Sequence, residues 1–261
     1  MSDFQTERIE AMTRDAKTMR AQNLLLVGLF MLITLFAAFH EGYLPLLSAA
    51  FWISLIAGFA ICVWLALSVS TRRLLALLLG IFIIEYVKET IGMRSKIWSY
   101  HGVEGHYTFV VWTWVLAGLI VYTLSTRVVI RLIRKLKHPL PRWLNPVILA
   151  LIGSLIPLTL GDYWGGAGVL FWSFYAVLFI AGISVSTRMD FPVFAGIVIT
   201  AWIISNPSEY VGSVASRVWT LTHNPDYPPF FLLFGCWPLD LLAQYTLSAF
   251  LAYEPLDKDT F

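Results

Sequence analysis

Eight apolar stretches, at approximately 23–40, 44–67, 74–91, 108–126, 145–161, 167–186, 190–206 and 229–252, leave this chain few possible folds. Each is about 20 residues long, enough for an α-helix to cross ~30 Å of hydrocarbon. Strands of a membrane barrel are about half that length and alternate in polarity, and these runs do neither. Composition agrees. Hydrophobic residues make up 58% of the chain and charged ones 13%, about half the charge of a soluble domain. Mean hydropathy is +0.73. The expectation is an all-α integral membrane protein with about eight transmembrane helices.

Lys and Arg set the orientation. With the N-terminus in the cytoplasm, the inner segments hold Arg8, Arg14, Lys17, Arg20, Arg72, Arg73, Arg127, Arg131, Arg134, Lys135, Lys137, Arg142, Arg188 and Lys258. Of the 18 basic residues, only Lys88, Arg94, Lys96 and Arg217 then count as outer. That asymmetry predicts two cytoplasmic termini, with a bacterial inner (plasma) membrane as the expected location.

The chain also repeats itself. Ser68-Val69-Ser70-Thr71-Arg72 returns as Ser184-Val185-Ser186-Thr187-Arg188. Trp114 and Tyr122 return as Trp237 and Tyr245, and the segment from Glu89 to Trp98 returns from Glu209 to Trp219. The order is kept throughout, so the sequence predicts two related copies. Four helices per copy is an even number, which makes the copies parallel, related by an axis along the membrane normal. The expected organisation is a cytoplasmic N-terminal helix at 1–22, a first four-helix repeat at 23–126, a basic linker at 127–144, a second repeat at 145–252 and a tail at 253–261. The linker reads first as a topology determinant on anionic headgroups. A formal charge of +2 does not suggest nucleic acid, and Cys62 and Cys236 form no redox motif.

Carboxyl groups inside the spans are the strongest signal of a site, because an ionised group at mid-bilayer is costly and normally faces a protein cavity. Glu85 lies twelve residues past Arg73, about 18 Å along a helix. Asp240 lies at similar depth in the last span, eleven residues past Pro229. Either acid alone serves equally well as an interhelical strut. A second layer lies nearer the outer surface: Glu41-Gly42-Tyr43 pairs with Asp162-Tyr163-Trp164-Gly165, and Glu89 with Glu209, with Trp98 and Trp219 following. An aromatic interface belt explains the tryptophans without any site. His101, Glu104 and His106 sit in a glycine-containing turn with no fixed geometry, so no metal is expected there. The sequence contains neither a phosphate-binding loop nor a nucleophile elbow. An apolar, aromatic-rich interior with acids and no nucleotide site fits cofactor-free work on a lipid.

The spacing of acid, Trp-Ser/Thr and Pro-x-acid carries a resemblance. Glu209, Trp219, then Asn224-Pro225-Asp226-Tyr227, then Pro238-Leu239-Asp240-Leu241-Leu242, is similar to the pattern of the membrane-embedded lycopene cyclase family and the related carotenoid hydratases. Glu89 through Trp98-Ser99-Tyr100 resembles the same acid-to-Trp segment in the first half. The likeness covers most of residues 44–252. Where that family has paired glutamates, this chain has Asp240-Leu241 in one half, and Trp114 and Ala117 in the other.

The resemblance implies an enzyme that protonates the end group of a lipid-soluble isoprenoid or carotenoid-like substrate, with cyclisation or hydration as the outcome. It makes Asp240 the proton donor and Glu85, Glu89 and Glu209 the stabilisers or base. Trp98, Trp219, Trp114, Trp237 and Tyr227 would line the substrate site, with membrane lipids as the other neighbours. A proton-coupled transporter using Glu85 and Asp240 as a relay, or a non-catalytic membrane subunit, also fits such acids. The sequence does not specify the oligomeric state.

Overall fold

Serine side chains start two of the helices. Ser48 Oγ accepts a bond from the Phe51 amide, and Ser70 Oγ one from the Arg73 amide, each 3.2 Å. Both satisfy a backbone donor that the first helical turn would leave unpaired. The computed structural model describes residues 3–100, 107–136, 140–160, 168–216, 218–222 and 230–255. Its helices are α1 Asp3–His40, α2 Ala49–Ala66, α3 Thr71–Arg94, α4 Thr108–Leu124, α5 Ile130–Arg134, α6 Leu144–Leu160, α7 Gly168–Ser186, α8 Phe191–Glu209 and α9 Phe230–Ala252. Two three-residue strands, β1 Trp98–Tyr100 and β2 Trp219–Leu221, pair antiparallel.

Among the described residues, five helical segments are long and apolar enough to cross a membrane: Asp15–His40, Ala49–Ala66, Thr108–Arg134, Gly168–Ser186 and Phe191–Ala215. α3 is not among them, because Glu85, Lys88 and Glu89 interrupt its apolar run. Two expected boundaries also move. Residues 1–22 are not set apart, since α1 runs unbroken from Asp3 to His40. The linker expected from 127 begins as helix instead: a π-helical turn, Ser125–Val129, carries α4 straight into α5. The reason is local. The Ser125 and Thr126 hydroxyls donate to the Tyr122 carbonyl at 3.0 and 2.8 Å, and Ile130 is buried against Gly196 of α8. A second π-helical segment, Tyr210–Ala215, prolongs α8 just after Pro207, a residue with no amide hydrogen for the regular ladder.

Helix association in lipid relies on close packing and interhelical hydrogen bonds rather than on expulsion of water. α3 packs most extensively on α9. Gly80 permits this, since a Cβ there would run into the Ser248 side chain and lie 3.1 Å from the Gln244 carbonyl oxygen. α4 and α9 run in the same direction, with Trp114 meeting Trp237 at 5.3 Å and Tyr122 meeting Tyr245 at 5.2 Å, both edge to face. Tyr245 donates to the Gly118 carbonyl at 2.7 Å. At the same end of the bundle Arg73 donates to the Tyr122 hydroxyl through Nε and Nη2, at 3.1 and 3.0 Å.

An asparagine's bonds recur later in the chain, in a register that pairs Val69 with Met189 and so puts the Ser68–Arg72 likeness to Ser184–Arg188 four residues out of step. Asn23 Nδ2 donates to the carbonyls of Ala66 and Val69, both at 2.8 Å. Asn145 Nδ2 donates to those of Ser186 and Met189 at 3.1 and 3.0 Å. Both asparagines are fully buried and tie one helix, α1 at its middle and α6 at its start, to the end of another and the turn that follows it. The ribbon joins the halves directly: Trp98 is opposite Leu221, and Tyr100 is opposite Trp219.

Candidate active site

Residues three and four apart share a helix face. On α3 that face carries Glu85, Lys88 and Glu89, and on α9 it carries Asp240 and Gln244. Because α3 lies along α9, the two polar strips meet in the interior. Lys88 Nζ is 2.6 Å from Glu85 Oε2, 3.4 Å from Asp240 Oδ2 and 3.9 Å from Glu89 Oε1. Gln244 Nε2 donates to the other Glu85 oxygen at 2.6 Å. The Lys88 ammonium also sits 5.5 Å from the centre of the Trp114 ring, a cation–π distance. All five polar residues are buried, Lys88 the least so at 8% exposed. Ionising every carboxyl around one ammonium in such surroundings is too costly.

Glu89 and Glu209, which the sequence pairs by their spacing to Trp98 and Trp219, are bonded differently. Glu89 Oε2 accepts from Trp98 Nε1 at 2.7 Å and from the Tyr100 hydroxyl. Burial first, and the charge of Glu89 second, push the Tyr100 phenol well above its ordinary pKa, so it stays a donor. Glu209 Oε1 accepts from Trp237 Nε1 at 3.1 Å. Among the described residues Glu209 Oε2, Asp240 Oδ1 and the Trp219 indole nitrogen have no hydrogen-bond partner. Glu89 thus accepts two hydrogen bonds on one oxygen, while Glu209 accepts one and has an unbonded second oxygen.

These groups face a cavity of about 430 Å³, a volume that includes its open mouth. Lys88, Glu89, Glu209 and Asp240 supply its polar wall, and Trp98, Tyr100, Trp114, Tyr175, Trp219 and Trp237 its aromatic one. Such a site suits an apolar ligand with one reactive end. Its carboxyls can give and take a proton, and its indole faces can stabilise a cation.

The structure brings together most of the residues singled out in the sequence. Asp240, Glu85 and Glu89 converge on Lys88, and Glu209 joins Asp240 and Glu89 at the cavity. Trp98, Trp114, Trp219 and Trp237 all line it. Tyr227, Asp162, His101, Glu104 and His106 lie outside the described residues. Glu41 is not part of the site: its two oxygens accept the backbone N–H groups of Thr108 and Phe109 at 3.0 and 2.9 Å, capping α4.

Lys88 corrects the sequence reading most. Counted with the outer cations, it is instead the hub of the buried cluster. Its place three residues after Glu85 inside an apolar span was the available signal, as was the four-residue step from Asp240 to Gln244. Among the described residues no three His, Cys, Asp or Glu side chains form a metal site. No family model, curated protein or solved structure matches this chain.

Proposed function

We propose that this protein is a membrane enzyme that protonates the unsaturated end of an isoprenoid or carotenoid-like lipid, leading to cyclisation or hydration, as the lycopene cyclase-like sequence pattern implies. The observation that carries the reading is the pair of carboxyl groups, Glu209 and Asp240, each with an oxygen unpartnered among the described residues, in an aromatic-walled cavity. A carboxyl O–H adds its proton to a terminal C=C bond, leaving a tertiary carbocation and a carboxylate. In cyclisation a neighbouring double bond attacks the cation, and loss of a ring proton to a carboxylate restores the alkene. In hydration a water oxygen attacks instead and yields its extra proton to the same base. Asp240 is the proposed donor and Glu209 its partner. Glu89, held by Trp98 and Tyr100, and Glu85, held by Lys88 and Gln244, are the stabilising charges.

The proposed architecture is eight spans in two parallel four-helix repeats, both termini cytoplasmic, in a bacterial inner membrane. The co-directional α4 and α9, meeting through Trp114 and Trp237 and again through Tyr122 and Tyr245, support it.

The test is expression in a host that accumulates lycopene, with products read by absorption and mass. Cyclisation shortens the conjugated system at constant mass, and hydration adds one water. Asp240→Asn keeps size and hydrogen bonding but removes the proton, so turnover should fall about 10²–10⁴-fold at normal levels of folded protein. Glu209→Gln should do likewise. An unchanged lipid profile with wild-type protein, together with proton flux across vesicles, would favour the carrier instead.

A further inference from the structure

A second cavity of about 590 Å³ adjoins the first. Its walls are α2, α4 and the π-helical end of α8, and it shares Trp114 and Trp219 with the acid site. Leu55, Val110, Leu116, Ala117 and Ile120 make it strongly apolar. The Thr113 hydroxyl within it is already spent on the Val110 carbonyl of its own helix. Ser54 marks its outer edge, exposed between the outward-facing Ile53 and Ile56, each 68% exposed. A reactive chamber and an apolar chamber thus lie on either side of two indoles, and the second one borders the surface that faces lipid.

We propose that this second cavity binds the chain of the substrate, while the acid cavity holds its end group. The inference rests on the enzyme reading above, and it adds the substrate's shape: a long, linear isoprenoid taken in sideways from the bilayer and worked on at one end. Three observations favour such a chain. The cavity offers no charged group, so a headgroup gains nothing there. Trp114, Trp219 and Phe51 present flat aromatic surfaces, which suit conjugated or methyl-branched chains. The Trp219 N–H, unpartnered among the described residues and 6% exposed, lies where chain and end group would join. Gly212 sits beneath that indole, with room for only an ordinary contact, since a Cβ would be 3.4 Å from Trp219 Nε1.

The experiment is photolabelling of the purified full-length protein with a diazirine analogue of geranylgeraniol, mapped by peptide mass spectrometry. Adducts should concentrate on residues 51–55, 110–120 and 208–212, and excess geranylgeraniol should compete them away. Ser54→Trp fills the outer edge from an exposed position, so it should cut labelling about tenfold, as steric filling of a fitted site does. Ile53→Trp, the same bulk on the exposed neighbouring position outside the cavity wall, should leave labelling unchanged and so control for an added indole on this face. Equal protection by dioleoylphosphatidylcholine would overturn the proposal in favour of a bound membrane lipid. Labelling spread over lipid-facing helices, or indifferent to Ser54→Trp, would also overturn it. The two readings separate cleanly. Competable labelling without lycopene turnover supports the chain site and rejects the enzyme, while turnover that survives Ser54→Trp rejects the chain site and keeps the enzyme.

Discussion

Replacing Lys88 with methionine keeps the length of the side chain and removes the charge that Glu85, Asp240 and Glu89 surround at 2.6, 3.4 and 3.9 Å. Removing one partner of a buried ion pair typically costs ~3–5 kcal/mol, because the other charge stays behind. At about 2–4 °C per kcal/mol for a chain of this size, the unfolding midpoint should drop by roughly 6–20 °C. In a Cys236→Ser background Cys62 provides the readout, since it is fully buried as a free thiol in α2 and reacts with a thiol-activated fluorophore only as the bundle opens. The decisive comparison is the double variant Lys88→Met with Glu85→Leu. An apolar pair of similar volume often replaces a buried ion pair at little net cost; the Gln244 amide loses its Glu85 partner, at about 1–3 kcal/mol, while Asp240 and Glu89 lose the ammonium in the single and the double variant alike. The double variant should therefore be more stable than Lys88→Met alone. Lys88→Met melting within about 2 °C of wild type, or additive losses in the double variant, would refute the coupling.

Two further predictions follow from the same geometry. Gly92→Ala places a methyl against the Trp98 ring that bonds Glu89, so it should cost ~1–3 kcal/mol by overpacking, whereas Gly212→Ala meets Trp219 at 3.4 Å and should be close to neutral; both are read from the thermal midpoint. Reporter fusions at Asp257 and between Arg127 and Arg142 should read cytoplasmic and fusions near His101 and His223 external, and opposite readings at the two termini would exclude an even number of crossings.

Much of the fold was legible because its signals are local. Apolar length locates helices, and the predicted 229–252 and 167–186 correspond to α9 at Phe230–Ala252 and α7 at Gly168–Ser186. The ends were less legible where a helix continues through polar residues. Ser125, Thr126 and Arg127 look like the start of a loop, yet their hydroxyls bond back to Tyr122 and Ile130 is buried beyond them. The acids of the site could be found one at a time, because a carboxyl in an apolar span stands out wherever it points. Their grouping could not, because it depends on the register of α3 against α9, which Gly80 allows and no local pattern announces.

Lys88 shows the difference most sharply. Counting basic residues by position assigns it to an outer loop, while the helix face it shares with Glu85 turns it inward. Glu41 errs in the opposite direction: it has the look of an outer-layer acid but is consumed by two backbone amides. What separates the two residues is what remains unbonded around them. Every oxygen of Glu41 is used on α4, whereas the Lys88 cluster borders open carboxyl oxygens on Glu209 and Asp240. On the proposed reading of two copies, the candidate site is marked by the place where one acid accepts more hydrogen bonds than its counterpart. Here that place is Glu209, which accepts one bond where Glu89 accepts two.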